Sequence, residues 1–186
     1  MADNMTITND KKGDEALMNV LEAIFSRRSI RKYTGELVAE DDIKTILKAG
    51  FCAPSAMNLQ PRHFVVLRDS NILKSIAEIH PYAKMLTQSG CGILVCGDKT
   101  KQPEVGYIVE DCSASIQNML LAAHGLGLGA VWCGVYPREE RVKSIAQLLK
   151  LPENIVPVGL VVVGHKDETK EPNDRYDEAK VHFDKW

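Results

Sequence analysis

Four cationic side chains near the N-terminus are close enough in sequence to bind an anion. Arg27, Arg28, Arg31 and Lys32 fall within six residues and surround the hydroxyl of Ser29. Guanidinium groups donate paired N–H bonds that match the geometry of phosphate oxygens. The alternative is that these cations only complement the dipole at the C-terminal end of a preceding helix. A second feature is needed to choose between a phosphate site and a helix end.

The second feature is a loop of small residues and prolines, Ala53 to Pro61, with the sequence APSAMNLQP. Prolines at both ends restrict the backbone, so this segment is predicted to be irregular. Its backbone groups and the amide of Asn58 could contact a flat heterocycle. The alternative is a simple connection between a helix and a strand. Taken with the cationic cluster, the loop favours a binding site.

Other motifs that would indicate a different chemistry are not supported. The stretch Gly125 to Ala130 matches G-x-G-x-x-A, but a dinucleotide motif follows a strand and opens a helix, and here the order is reversed. A glycine cap at a helix end is the better interpretation. The sequence has no G-x-S-x-G motif, and its five histidines lack the i, i+3 or i+4 spacing of a zinc site. We therefore predict neither a metal site nor a hydrolase.

Composition restricts the class of protein further. The 186 residues are 45% hydrophobic and 26% charged, which is typical of one folded domain. The net charge of −2 provides no excess of cations for a nucleic-acid backbone. Residues 1–14 are polar and are predicted to form a flexible tail, with the domain over residues 15–186. The apolar stretch Cys112 to Val135 contains too many polar residues and glycines for a membrane span.

The cysteines and the N-terminus favour a reducing compartment. The chain starts with no apolar core of a secretory signal, so a cytoplasmic location is expected. No C-x-x-C pair occurs, and the cysteines are predicted to be reduced and buried. They are Cys52, Cys91, Cys96, Cys112 and Cys133.

Hydrophobic periodicity predicts a mixture of helices and strands. The helices are expected at Glu15–Ser26, Glu40–Gly50 and Gly106–His124, with a further one beginning at Pro137. The strands are expected at His63–Arg68, Gly92–Gly97, Ala130–Val135 and Val156–Gly164. Because helices and strands do not alternate strictly, the predicted fold class is α+β.

The helix predicted over Gly106–His124 is apolar on almost every side. A helix of that kind must be buried all round. A domain of this size covers it poorly, so a second subunit is one way to cover the remainder. On that expectation, Ile116→Asp would separate the subunits.

Three motifs stand in a fixed order along the chain: Arg27 to Tyr33 (RRSIRKY), Ala53 to Phe64 (APSAMNLQPRHF) and Gly127 to Trp132 (GLGAVW). With these motifs, the chain from Leu17 to Trp186 resembles the FMN-dependent nitroreductase family. The resemblance implies an α+β nitroreductase-like fold with a central mixed β-sheet flanked by helices. It also implies an intertwined homodimer with FMN at the subunit interface.

The resemblance implies cofactor-binding residues in four places and no catalytic residue, because the flavin carries the chemistry. The phosphate and ribityl chain are expected at Arg27, Arg28, Ser29 and Arg31. The loop that reaches the partner's flavin is expected at Pro54, Ser55, Ala56, Met57 and Asn58. The backbone near flavin N5 is expected at Cys133, Gly134 and Val135, and Arg175 is expected to close on the phosphate. Two positions depart from the family pattern: Arg62, where many members have Trp, and Asn173, where a basic residue is common.

The implied activity is FMN-dependent oxidation of NADH or NADPH, by ping-pong hydride transfer through flavin N5. The implied acceptors are nitroaromatics, quinones or similar small molecules. Two alternatives stay open on the sequence: a flavin-binding sensor or FMN reservoir without significant turnover, and a specialised dehalogenase or enone reductase on the same fold.

Overall fold

The computed structural model describes residues 18–186, so the predicted tail and the start of the first predicted helix lie outside the described residues. The helices are α1 (Val20–Ser26), α2 (Glu40–Phe51), α3 (Ser70–Ile79), α4 (Val105–Gly125) and α5 (Glu139–Leu148). The strands are β1 (Arg62–Leu67), β2 (Cys91–Asp98), β3 (Gly129–Gly134) and β4 (Ile155–Gly164). Short 3₁₀ turns occur at Ala56–Asn58, Lys84–Gln88 and Glu178–Lys180. The four predicted strands are confirmed, and the fold is α+β.

The strands form one sheet in the order β1-β2-β4-β3, and each neighbouring pair is antiparallel. The implied mixed sheet is therefore wrong for these four strands; the only parallel pairing among the described residues is one isolated bridge, between Ser29 and Ala130, which attaches the segment after α1 to the β3 edge. The central strand β2 is buried along its whole length. Its near-continuous apolar sequence is typical of a strand that is covered on both faces.

Helix α4 lies against one face of the sheet, together with α2. Ile116 has no exposed surface and packs with residues of β2 and β4 in the hydrophobic core. The expectation that α4 is buried on every side is wrong for the single chain, because Tyr107 on its outer face is 46% exposed. Ile116→Asp would therefore disrupt the core of the chain itself.

Helix α1 shows a different departure from the sequence prediction. Its apolar residues Val20, Leu21, Ile24 and Phe25 are exposed, and only Ala23 is buried. The periodicity that predicted an inward-facing stripe thus marks a surface that the same chain does not cover. An exposed apolar patch of this kind is typical of an interaction surface.

Helix α3 is absent from the helices expected above, although the sequence contains its signals. Asp69 caps it, with the carboxylate accepting hydrogen bonds from the backbone N–H groups of Asn71 and Ile72. Leu73 and Ile76 form its buried stripe on the face of the sheet opposite α4.

Four of the five cysteines are buried as predicted, whereas Cys52 is exposed. Every residue from Glu171 to Trp186 is exposed. Within residues 18–186, no helix is long and apolar enough to cross a membrane.

Candidate functional site

Three arginines meet at the C-terminal end of α1. Arg27 and Arg28 follow the helix directly, and Arg175 comes from the C-terminal segment to line the same cavity of about 640 Å³. We call this space the arginine cavity. Burial lowers the pKa of Arg27, and the positive charges of Arg175 and Arg28 lower it further. Within residues 18–186, the buried Nε of Arg27 has no hydrogen-bond partner, and no carboxylate forms an ion pair with these three arginines. The arrangement is suited to bind an anion.

The segment before Arg175 is tied to the residues that follow α1. Arg28 donates from Nη1 to Oδ1 of Asn173 at 3.2 Å. Lys170 donates from Nζ to the carbonyl oxygen of Ser29 at 2.8 Å and forms an ion pair with Glu168 at 2.9 Å. Asn173 therefore links the C-terminal segment to the arginine cavity, although it carries no positive charge of its own.

The backbone of residues 29 and 30 lies beside strand β3. Ile30 donates its N–H to the carbonyl oxygen of Ala130 at 3.0 Å, next to the bridge formed by Ser29. This pairing brings Arg31 to the lining of a second cavity of about 530 Å³, which also contains Cys133 and Gly134. We call this space the Gly134 cavity. Arg31 and Gly134, far apart in sequence, thus share one cavity as the sequence hypothesis requires.

Two side chains fix the peptide of Gly134. Its carbonyl oxygen accepts hydrogen bonds from Nε2 of His80 at 2.8 Å and from Nη1 of Arg141 at 3.2 Å. Burial lowers the pKa of His80, which favours the neutral ring. Since Nδ1 accepts from the N–H of Tyr82 at 3.3 Å, we assign the proton of the neutral ring to Nε2. Neither His80 nor Arg141 belongs to a motif, so the sequence alone does not indicate their role.

The neighbours of Gly134 differ in what they present to the cavity. Cys133 lines it, but burial raises the pKa of the thiol to about 11, so the thiol is protonated at neutral pH. Val135 is fully buried and donates its N–H to the carbonyl oxygen of Val158 at 3.1 Å. Only Cys133 and Gly134 of the three predicted residues therefore line the Gly134 cavity.

The loop between α2 and β1 has an unusual backbone. Met57, Asn58 and Gln60 adopt positive φ angles of 52°, 55° and 49°. Non-glycine residues in this region cost free energy and occur where surrounding contacts hold them. Ser55 provides such contacts: its carbonyl oxygen accepts from Asn58 N–H, and its Oγ accepts from Gln60 N–H, both at 3.0 Å. The loop holds the side chain of Met57 out into solvent, 73% exposed.

Two buried charged residues form hydrogen bonds to the backbone of this loop. Oδ1 of Asp111, on α4, accepts from the backbone N–H of Ala56 at 2.8 Å. Arg62 donates from Nη1 to the carbonyl oxygen of Pro54 at 3.2 Å. Both side chains belong to residues that are only 5% exposed. Arg62, one of the two positions that differ from the family pattern, therefore helps to hold the loop in place.

The loop does not line either cavity that contains the arginines. None of the residues Pro54 to Asn58 lines the arginine cavity or the Gly134 cavity. Asn58 instead lines a third cavity of about 650 Å³, with Phe51 and His63. A single chain thus brings Arg27, Arg28 and Arg175 together and places Arg31 with Gly134, but it leaves the loop apart from both groups.

The support from Asp111 gives a testable expectation. Asp111→Ala should loosen the loop, because it leaves the N–H of Ala56 without its acceptor, at a cost of about 1–3 kcal/mol in unfolding free energy. Hydrogen exchange at the Ala56 amide should accelerate, and Asp111→Asn, which keeps an oxygen acceptor, should restore most of the protection. The control is Glu110→Ala, at the neighbouring exposed position. Unchanged exchange at Ala56 in Asp111→Ala would contradict this role.

Comparison with known proteins gives the family. A model of the nitroreductase family matches residues 24–86 and 80–165. A protein of Methanothermobacter thermautotrophicus, provisionally named NADH dehydrogenase/NAD(P)H nitroreductase, is 43% identical over 98% of this chain and 96% of its own length. The chain belongs to the nitroreductase family, which confirms the resemblance seen in the sequence.

Two solved structures support the same assignment. A Parabacteroides distasonis protein with the same provisional name has a TM-score of 0.86 and 37% identity, covering 89% of this chain and 98% of that one. A provisionally assigned nitroreductase from Desulfovibrio desulfuricans, solved in complex with FMN, has a TM-score of 0.77 and 33% identity. That match covers 89% of this chain and 96% of the other.

Proposed function

We propose that this chain forms a homodimer that binds FMN through the arginine cavity and the Gly134 cavity. We further propose that it passes electrons from NADH or NADPH to nitroaromatic, quinone or similar acceptors by a ping-pong mechanism. The observation that carries the proposal is the buried Nε of Arg27, which lacks a partner within residues 18–186 and lies among other arginines. A phosphate group would accept from this N–H and compensate the positive charge.

As a member of its family, the chain is an FMN-dependent NAD(P)H oxidoreductase. When bound, FMN would supply the redox chemistry, which is hydride transfer from the nicotinamide to the acceptor. The chain's own residues bind and orient the cofactor. Arg27, Arg28 and Arg175 would hold the phosphate, and the backbone of Ser29 would lie along the ribityl chain. Arg31 would contribute positive charge beside the flavin ring, which favours the reduced state.

The Gly134 peptide would lie beside the flavin ring, as proposed for Cys133 to Val135. His80 and Arg141 both donate to the Gly134 carbonyl oxygen and so hold this peptide in one orientation. A backbone N–H at this position would hydrogen-bond to the bound ring without titrating itself. We therefore propose no side chain as a general base there.

The homodimer is proposed because one chain leaves the site incomplete. The loop Pro54 to Asn58 is apart from the arginine cavity, so its proposed contact with FMN must be made to the partner's cofactor. The exposed apolar side chains of α1 and the exposed segment Glu171 to Trp186 provide surface for a second subunit. An obligate interface typically buries more than about 2,000 Å².

Steady-state turnover tests the proposed activity. We expect purified, FMN-loaded protein to oxidise NADPH or NADH in air and faster with an added quinone or nitroaromatic. Because donor and acceptor would use the same cavity in turn, double-reciprocal plots at several acceptor concentrations should be parallel. FMN-loaded protein that oxidises neither nucleotide with any acceptor would instead support a sensor or FMN reservoir. Intersecting plots would contradict the ping-pong order.

A further inference from the structure

We propose that the cationic rim of the Gly134 cavity recognises a phosphate group on the nicotinamide donor, and that it selects NADPH over NADH. This inference rests on the proposed function and deepens it by naming the donor. The 2′-phosphate is the only group that distinguishes the two donors, and it is a dianion near neutral pH. A site with surplus positive charge in the right place therefore discriminates between them.

The charge at this cavity is strongly one-sided. Arg31, Lys84, Arg138 and Arg141 all line it, and no aspartate or glutamate among the described residues does so. The whole chain carries a net charge of −2, so this concentration of cations is local. A cleft lined by charge of one sign raises the local concentration of an oppositely charged ligand.

The nearest acidic residue of α5 does not cancel this charge. Glu139 follows Arg138 directly, but its carboxylate forms an ion pair with Lys143 at 3.3 Å, one turn further along the helix. Within residues 18–186, neither Lys84 nor Arg138 has a side-chain hydrogen bond or an ion pair. Their positive charges are therefore available to a ligand.

Two of the four cations, Arg141 and Arg31, already have other functions. Arg141 donates to the Gly134 carbonyl oxygen, and its guanidinium lies 5.5 Å from the centre of the Tyr82 ring. Arg31 is assigned to the flavin under the proposed function. Lys84 and Arg138 are left, and they come from two separate elements, a 3₁₀ turn and the residue that precedes α5. These two residues form the proposed phosphate contact.

The cavity also offers flat surfaces for the aromatic part of such a donor. Tyr82, Trp132 and Tyr136 line it and are 71%, 38% and 39% exposed. Aromatic side chains beside cations are suited to bind a heterocycle that carries phosphate. These side chains stand at the rim of the cavity, where a donor would meet the bound flavin.

The test compares two donors and two fragments on the FMN-loaded protein. Lys84→Gln and Arg138→Gln should each lower kcat/KM for NADPH about tenfold, and that for NADH less than about threefold, because only NADPH makes the phosphate contact. The control is Lys44→Gln, an exposed position on α2 outside this cavity. Calorimetric titration should show that 2′,5′-ADP binds more tightly than 5′-AMP to wild-type protein, and that both variants lose most of this difference.

Three results would overturn the proposal. The first is equal affinity of the wild-type protein for 2′,5′-ADP and 5′-AMP. The second is an equal loss of kcat/KM for NADPH and NADH in the variants, which would indicate a general electrostatic effect. The third is a raised KM of the variants for a carboxylated nitroaromatic, with kcat/KM for both nicotinamide donors unchanged. That result would show that the rim binds the acceptor. Absence of FMN binding would instead refute the proposed function; the fragment titration, repeated on protein without FMN, would then still test the phosphate contact, because it needs no turnover.

Discussion

Arg27→Ala is expected to weaken FMN binding about tenfold to hundredfold, whereas Lys32→Ala should change it little. A hydrogen bond to a charged group contributes about 1.5–3 kcal/mol, and a solvated surface lysine usually less than about 0.5 kcal/mol. Arg27 is partly buried at the arginine cavity, and Lys32 is exposed. The measurement is the dissociation constant of FMN, by fluorescence titration of protein from which the cofactor has been removed.

Although Arg27→Ala should weaken FMN binding, it should not destabilise the protein without FMN. Arg27 is unfavourable there, because its guanidinium is desolvated and lies near Arg175 and Arg28. Arg27→Ala should therefore raise the melting temperature of FMN-free protein, or leave it unchanged, while it lowers the gain on adding FMN. Equal loss of affinity for Arg27→Ala and Lys32→Ala would contradict the assignment of Arg27 to the phosphate.

If the proposed homodimer forms, Phe25→Asp should convert it to monomers and remove FMN at the same time. Phe25 is 69% exposed on α1 and lines the arginine cavity. In a two-fold symmetric dimer each substitution acts twice, and burying one phenylalanine contributes about 1.5–3 kcal/mol, so the loss should exceed about 3 kcal/mol of dimer stability. Molar mass and flavin content should be measured together on the same sample.

The control for Phe25→Asp is Lys74→Asp, which places a new carboxylate on the exposed side of α3. Circular dichroism should show that both variants are folded. Ile116→Asp is unsuitable, because that side chain is inside the core of the single chain. A folded Phe25→Asp monomer that retains FMN at full affinity would refute a site shared between subunits.

Local patterns in the sequence were sufficient for most of the fold. The runs of Val, Ile and Leu in β2 and β4 predict buried strands, because few other structures hide every residue of such a run. The pattern was less informative for helices, since periodicity shows which face is apolar and not what covers it. The apolar face of α1 is exposed in the single chain, whereas Ile116 on α4 packs against the sheet.

The candidate site was predictable where its residues form motifs. Arg27 and Arg28 are adjacent in sequence, and the structure brings the distant Arg175 to line the same cavity. The residues that hold the site in place, Asp111 and His80, were not predictable, because each acts through one contact with a distant residue. Asp111 reaches Ala56, 55 positions away, and His80 reaches Gly134, 54 positions away. No local pattern indicates such pairs.

The absorbance spectrum of the purified protein tests the central claim most directly. We expect a yellow protein with flavin absorbance, about one FMN per chain after quantification of the released cofactor, and bleaching when NADPH or NADH is added without oxygen. If the protein loses cofactor during purification, added FMN should restore the spectrum. A colourless protein that fails to bind added FMN would contradict the account.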